Sequence, residues 1–141
     1  MFDQILLGSI ITLFSLLTGA SLWYGLNEVL EQMEPWLSKP NHTYKMFVVR
    51  VMVVVVAMLM MTFGVWLWAI IFRQMVVFAT LEEAVYYSLV AYTTLGLGDV
   101  VVPAEQRLLG GMTGANGFLM FGLMTAMLTD TLRHVRKVQH G

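Results

Sequence analysis

Three long apolar runs, separated by short polar stretches, organise the chain. The first runs from Ile5 to Leu26 without a charge, and about 20 apolar residues suffice to cross a bilayer as a helix. Gly8, Thr12, Ser15 and Gly19 recur along it at helical spacing, which suits close approach of a second helix. Trp23 and Tyr24 stand at its far end, where an interfacial aromatic belt belongs. The second run covers Met46 to Phe72, and all but one of Val51 to Val56 are valines. β-Branched residues lower helicity in water. In lipid the backbone has no other partner, so a helix is still predicted. Arg50 lies one turn in and can snorkel to the interface, and Trp66 and Trp68 read as the belt at the other end. The third run, Leu108 to Leu132, contains Gly110, Gly111, Gly114, Gly117 and Gly122. That is more glycine than local helix stability favours, at about 1 kcal/mol each against alanine, so close helix packing is expected.

The intervening stretches differ in character. Between the first two runs, Glu28, Glu31 and Glu34 repeat every third residue, and Val29, Leu30, Met33, Trp36 and Leu37 supply apolar area. An amphipathic helix lying in the interface and a solvated connector broken by Pro35 and Pro40 fit this pattern equally. Asn41-His42-Thr43 matches a glycosylation acceptor, but the topology below turns it inward and makes it a chance match. Between the second and third runs, Thr80-Leu81-Glu82-Glu83 reads as a capping box with Thr80 as N-cap. The helix it opens, 80–93, is too short to span. A re-entrant segment is tolerated only where protein buries it or water lines it.

Composition narrows the class. The chain has 141 residues, of which only 12% are charged, against about 25% in soluble domains. An integral membrane protein is expected. The net charge of −1 gives no reason to expect a nucleic-acid partner, and the absence of cysteine excludes disulfides and thiolate metal sites. The 12 methionines read as flexible apolar packing. Met1-Phe2-Asp3-Gln4 lacks the basic n-region of a signal peptide, so the first run is expected to be retained. No Ser-His-Asp, metal-ligand or phosphate-loop constellation appears, so an enzyme is not expected and no cofactor is assigned.

The chemistry concentrates in Thr93-Thr94-Leu95-Gly96-Leu97-Gly98-Asp99. A line of backbone carbonyls can replace a cation's hydration shell only if successive C=O groups face the same way. An ordinary strand alternates them, so some residues must take positive φ. Gly96 and Gly98 do so at little steric cost. The Thr94 hydroxyl can add an oxygen at the inner end. The dinucleotide-binding alternative fails, because no third glycine follows at the required spacing.

This motif resembles the pore loop of potassium channels, whose Thr-Val-Gly-Tyr-Gly carbonyls coordinate potassium. Leu95 stands for the valine and Leu97 for the tyrosine. The resemblance covers roughly 46–132. It implies an outer helix 46–72, a pore helix 80–93, a filter 94–99 and an inner helix 107–132. Segment 1–26 is then an extra membrane helix, 27–45 a cytoplasmic linker and 133–141 a basic tail with no room for a regulatory domain. The implied fold is an all-α membrane protein of three transmembrane helices with a re-entrant pore helix and filter loop, assembled as a homotetramer in lipid. The implied ion ligands are the carbonyls of Thr94, Leu95, Gly96 and Leu97 with the Thr94 hydroxyl, and Gly98 completes the filter. Potassium is the permeant ligand.

The run Gly117-Phe118-Leu119-Met120-Phe121-Gly122-Leu123-Met124-Thr125-Ala126 is similar to the inner helix of simple bacterial potassium channels. That similarity makes Gly117 the gating hinge and Phe121 and Thr125 cavity-lining. Asn116 is either a further cavity residue or a hydrogen-bonding partner of a neighbouring helix. Leu97 lacks the hydroxyl with which the family braces its outer filter, and Val90 stands where many relatives carry a glutamate. Tyr86 and Tyr87 replace the aromatic cuff, with hydroxyls that can reach Asp99 or the filter backbone, and Leu97 can pack against them.

Basic residues fix the orientation. Lys39, Lys45 and Arg50 flank the start of the second run, and Arg133, Arg136 and Lys137 follow the third. The positive-inside rule then gives an outward N-terminus, a pore loop entering from outside and a cytoplasmic C-terminus in the cell membrane. The leading expectation is a passive potassium channel. A weakly selective cation channel and a poorly conducting partner or sensor subunit are the alternatives. His134 and His140 beside Asp130 suggest opening by acid, as protonation adds like charge around a four-fold bundle.

Overall fold

The computed structural model describes residues 1–39 and 42–140, apart from the side chains of His42 and 138–140. Pro40, the Asn41-His42-Thr43 pattern and the His140 side chain lie outside the described residues. In chain order the elements are α1 (Phe2–Gln32), α2 (Glu34–Leu37), α3 (His42–Gln74), α4 (Leu81–Tyr92), a 3-10 turn (Ala104–Gln106) and α5 (Arg107–His140). No strand occurs among the described residues, and α1, α3 and α5 are each long and apolar enough to cross a membrane. The expected all-α membrane architecture is thus present.

Two helices run further than the hydropathy boundaries. α1 continues from Leu26 to Gln32, because Leu26 and Leu30 remain buried one turn apart while Glu28 and Glu31 face other ways. α5 continues through the basic tail, where Val135 is fully buried. Much of 27–45 and 133–141 is therefore helical and docked. Pro35 sits in the first turn of α2, where a missing N–H costs nothing. Lys45 donates through Nζ to the Trp36 carbonyl and to the Lys39 carbonyl at 2.6 Å. It thus caps the carbonyl end of the α2 turn as well as marking the positive side.

The long helices pack with a defined polarity. Gly8 of α1 lies against Met112 of α5, and Gly19 lies against Met120, so the two helices run parallel. At one end the Gln4 side-chain amide donates to the Glu105 carbonyl. At the other, Glu34 Oε1 is 3.3 Å from His134 Nε2. The N-terminus therefore shares an end with the loops around α4, and the α2 segment shares an end with the C-terminus of α5. Glu34 thus stands beside His134 as an acidic neighbour from another helix. Trp66 is exposed as a belt residue should be, but Trp68 is fully buried against Phe72, with ring centroids 5.7 Å apart. α4 is wedged between α3 and α5.

The N-terminus of α4 is held as the capping box predicts. Thr80 Oγ1 accepts from the Glu83 N–H at 3.1 Å, and the Thr80 N–H donates to Glu83 Oε2 at 3.4 Å. Thr80→Ala should destabilise the protein by about 1 kcal/mol, and Thr80→Ser should not. Thermal unfolding in detergent micelles compares the two; equal melting temperatures would show that this cap does not contribute to stability.

Candidate functional site

The site begins where α4 ends. The last carbonyls of a helix lack intrahelical partners. Here the Leu89 carbonyl accepts from the Thr93 N–H at 3.0 Å and the Ala91 carbonyl from Thr94 at 2.9 Å. The Val90 carbonyl accepts from both Leu95 at 3.0 Å and Gly96 at 3.3 Å. Four successive N–H groups are thereby turned back toward α4. In a trans peptide the C=O points opposite to the N–H, so the carbonyls of Thr93, Thr94 and Leu95 face away from the helix. Beyond that point the alternation of hand is set by φ, which is +59° at Thr94, +60° at Gly96 and +78° at Gly98. Every second residue is left-handed.

Thr94 is the informative member of that series. A β-branched residue at positive φ is a genuine outlier, and such strain costs about 1–3 kcal/mol unless the surroundings over-determine it. The sequence reading assigned the left-handed positions to the glycines alone. The Thr94 N–H bond to Ala91 holds its backbone in place. The neighbouring Thr93 hydroxyl donates to the Leu89 carbonyl at 2.7 Å, while Thr94 is exposed with no recorded bond for its own hydroxyl.

The outer end is held from a second direction. Tyr86 Oη donates to Asp99 Oδ2 at 2.5 Å, across 13 residues. This bond holds the Asp99 carboxyl below its usual range and raises the Tyr86 phenol above its own. Tyr87 behaves differently. Its ring packs against Phe72 at 5.4 Å and Phe78 at 5.1 Å, and its hydroxyl points into space left by Gly110. It fastens α4 to α3 and bonds nothing in the loop. Leu97 is 59% exposed.

Below the loop lies a cavity of about 440 Å³ lined by Thr93, Thr94, Gly117, Phe121, Gly122 and Thr125. Phe121 and Thr125 both face this space. Asn116 does not line this cavity. It is fully buried, one residue round the helix and turned from the cavity toward the protein interior. α4 ends at the same cavity, so the partial negative charge of its carbonyl end faces the open space.

Gly117 has a steric role the sequence did not reveal. A Cβ there would overlap the Tyr92 carbonyl oxygen, with the carbonyl carbon at 2.6 Å and Cα at 2.9 Å. Backbone meets backbone directly beneath the loop, and no side chain can yield. The Val90 carbonyl and Tyr92, buried between helices, also escaped the sequence reading. Backbone acceptors leave no trace in residue type, and Tyr92 was read only as part of an apolar short helix.

Two outcomes follow from this geometry. Gly117→Ala should destabilise the folded protein strongly, whereas Gly122→Ala, with nothing within 4 Å of the added Cβ, should be neutral or gain up to about 1 kcal/mol of helix propensity. Thermal unfolding of the two variants side by side checks this, and equal behaviour would remove the close approach. The Tyr86–Asp99 bond sets a pH window. The depressed Asp99 contributes stability above the ordinary carboxylate range, lost as pH falls through its folded-state value. The raised Tyr86 contributes below the ordinary tyrosine range, lost as pH rises through its own. Tyr86→Phe should move the Asp99 titration up toward the ordinary carboxylate value. Carboxylate NMR would read that shift, and an unmoved titration would mean the bond does not form in solution.

No curated protein and no solved structure matches the chain. A family model described as ion channel matches residues 55–134, more than half of the chain. The matched stretch contains most of α3, all of α4, the left-handed loop and the cavity-lining part of α5. The chain therefore belongs to the two-transmembrane-helix ion-channel family that carries the potassium-channel pore module.

Proposed function

We propose that the chain is one quarter of a passive potassium-selective channel, with Thr94, Leu95, Gly96, Leu97 and Gly98 as its filter. The observation that carries this reading is the alternation of left-handed φ at Thr94, Gly96 and Gly98, with the preceding N–H groups tied back to α4. That arrangement turns carbonyls to one side, which a dehydrated cation requires. The Thr94 hydroxyl adds the innermost ligand, Asp99 and Tyr86 support the outer end, and Phe121 and Thr125 line the path below. Gly117 remains the proposed flex point, with its packing against Tyr92 as a second demand for glycine.

What one chain leaves undone supports the homotetramer as part of this proposal. Leu95 and Leu97 are 63% and 59% exposed, and a cavity of about 350 Å³ beside the loop, reaching Gly96 and Gly98, is open. A single line of carbonyls cannot surround an ion, and four copies around an axis can. Lys45 and Arg50 lie at the same end of the bundle as Arg133, Arg136 and Lys137. That end is proposed as cytoplasmic in the cell membrane, with the N-terminus and pore loop outside.

A second reading, a weakly selective monovalent cation channel, is favoured by Leu97. It cannot supply the hydroxyl that braces the outer filter, and a net hydrogen bond is worth about 0.5–1.5 kcal/mol. The test is reconstitution. Native mass spectrometry should give a tetramer, and reversal potentials in mixed potassium and sodium should follow potassium. Thr94→Ala should lower the potassium-to-sodium ratio without preventing assembly. The ratio should fall at low potassium, where fewer ions hold the carbonyls. A ratio near one at all concentrations would favour the weakly selective channel, and no flux from intact tetramers would favour a sensor or partner subunit.

A further inference from the structure

Ser15, Tyr92 and Asn116 are fully or almost fully buried, yet their side-chain polar atoms have no hydrogen-bond partner. They come from three helices. Ser15 lies on the face of α1 that carries Gly8 and Gly19, one turn before Gly19 and two after Gly8. Asn116 lies on α5 midway between Met112 and Met120, the residues those glycines pack against. The Ser15 hydroxyl lies near the Tyr92 phenol, and neither meets the geometry of a formed hydrogen bond in this structure. Gly64 of α3 leaves the space that the phenol enters, since any Cβ there would overlap it. Tyr92 is the last residue of α4, its carbonyl rests on Gly117, and Thr93 and Thr94 follow it directly.

A group of buried donors and acceptors without partners is costly, because each has lost water and gained nothing. Small polar gaps between helices are where internal water resides, with two to four polar partners for each molecule. The phenol, the hydroxyl and both amide atoms supply that number. An apolar trio would pack the same space more cheaply, and water-mediated bonds hold nearly as firmly as direct ones.

We propose that Ser15, Tyr92 and Asn116 form a buried water-binding site that joins α1 to the base of the filter, and that these three are positioning residues for ion selectivity. This rests on the conducting reading given above. α1 is then not a passive addition to a two-helix pore. It holds the residue from which the filter strand departs, so displacement of α1 is transmitted to Thr93 and Thr94.

The test uses the full-length tetramer in liposomes and in detergent. Tyr92→Phe, Ser15→Ala and the double variant are compared with Ser15→Thr, which keeps a hydroxyl. The potassium-to-sodium permeability ratio should drop about fivefold in each single variant, the worth of one net hydrogen bond. It should drop little further in the double variant and stay near wild type in Ser15→Thr. Thermal stability should stay near wild type in the double variant, because removing both partners of the water together leaves neither one buried alone. A purely structural role would instead lower stability and leave the ratio alone. Unchanged ratios in all variants of a conducting wild type would overturn the proposal. A wild type that conducts nothing would overturn the conducting reading instead. In that case the double-mutant cycle on melting temperature decides the site, with non-additive effects supporting it and additive effects refuting it.

Discussion

The structure depends on one backbone requirement: successive carbonyls must face the same way, and the N–H groups opposite them must still find partners. α4 supplies those partners. Its final carbonyls would be orphans at an ordinary helix end, and they accept from Thr93, Thr94, Leu95 and Gly96 instead. The orphans of one element satisfy the orphans of the next. The same requirement explains the positive φ at Thr94, a conformation that a β-branched residue does not adopt without external hold. It also explains why α4 is secured at both ends. The capping box fixes its start, and Gly117 lets α5 come close enough to support its finish.

Much of this was legible in the sequence, for physical reasons that differ by element. The three apolar runs are visible because lipid imposes length and polarity together. The start of α4 is visible because capping uses side chains at fixed offsets. Gly96 and Gly98 are visible because left-handed backbone selects glycine. What stayed hidden depends on partners remote in sequence. Trp68 belongs to an interior aromatic cluster instead of an interfacial belt because Phe72 meets it, and hydropathy scores the two cases alike. Asn116 turns away from the cavity because the angular setting of α5 is fixed by glycine-to-methionine contacts with α1. The tail reads as solvated charge, yet Val135 and the Glu34–His134 pair hold it as helix.

Glycine in α5 illustrates how one residue type answers separate demands. Gly110 makes room for the Tyr87 hydroxyl, Gly117 for the Tyr92 backbone, and Gly122 meets nothing. A stripe of small residues is therefore not a uniform packing face. Two positions are needed for contacts already present in one chain. Gly122 lies on the cavity side, where a larger side chain would narrow the space below the left-handed loop. The cost to helix propensity is the same at all three, about 1 kcal/mol each, so the return differs by position: close packing in two cases, open volume in the third.

The outer and inner ends of the loop are supported by unlike means, and that asymmetry bears on how the channel works. The inner end is anchored through the backbone, to α4 carbonyls and to α5 at Gly117. Those bonds are insensitive to side-chain identity and repeat in every copy. The outer end has one exposed side-chain bond, Tyr86 to Asp99, and leucines that are more than half exposed in the single chain. An exposed hydrogen bond competes with water and is worth little by itself. In the proposed tetramer, neighbouring copies would supply further restraint on Leu95 and Leu97. On the proposed function, rigidity at the outer end of the loop is then a property of the proposed ring, whereas rigidity at its base is built into each chain. In that proposed assembly, any loosening of the ring, by lipid, by temperature or by movement of the long α5 helices, would reach the outer carbonyls first.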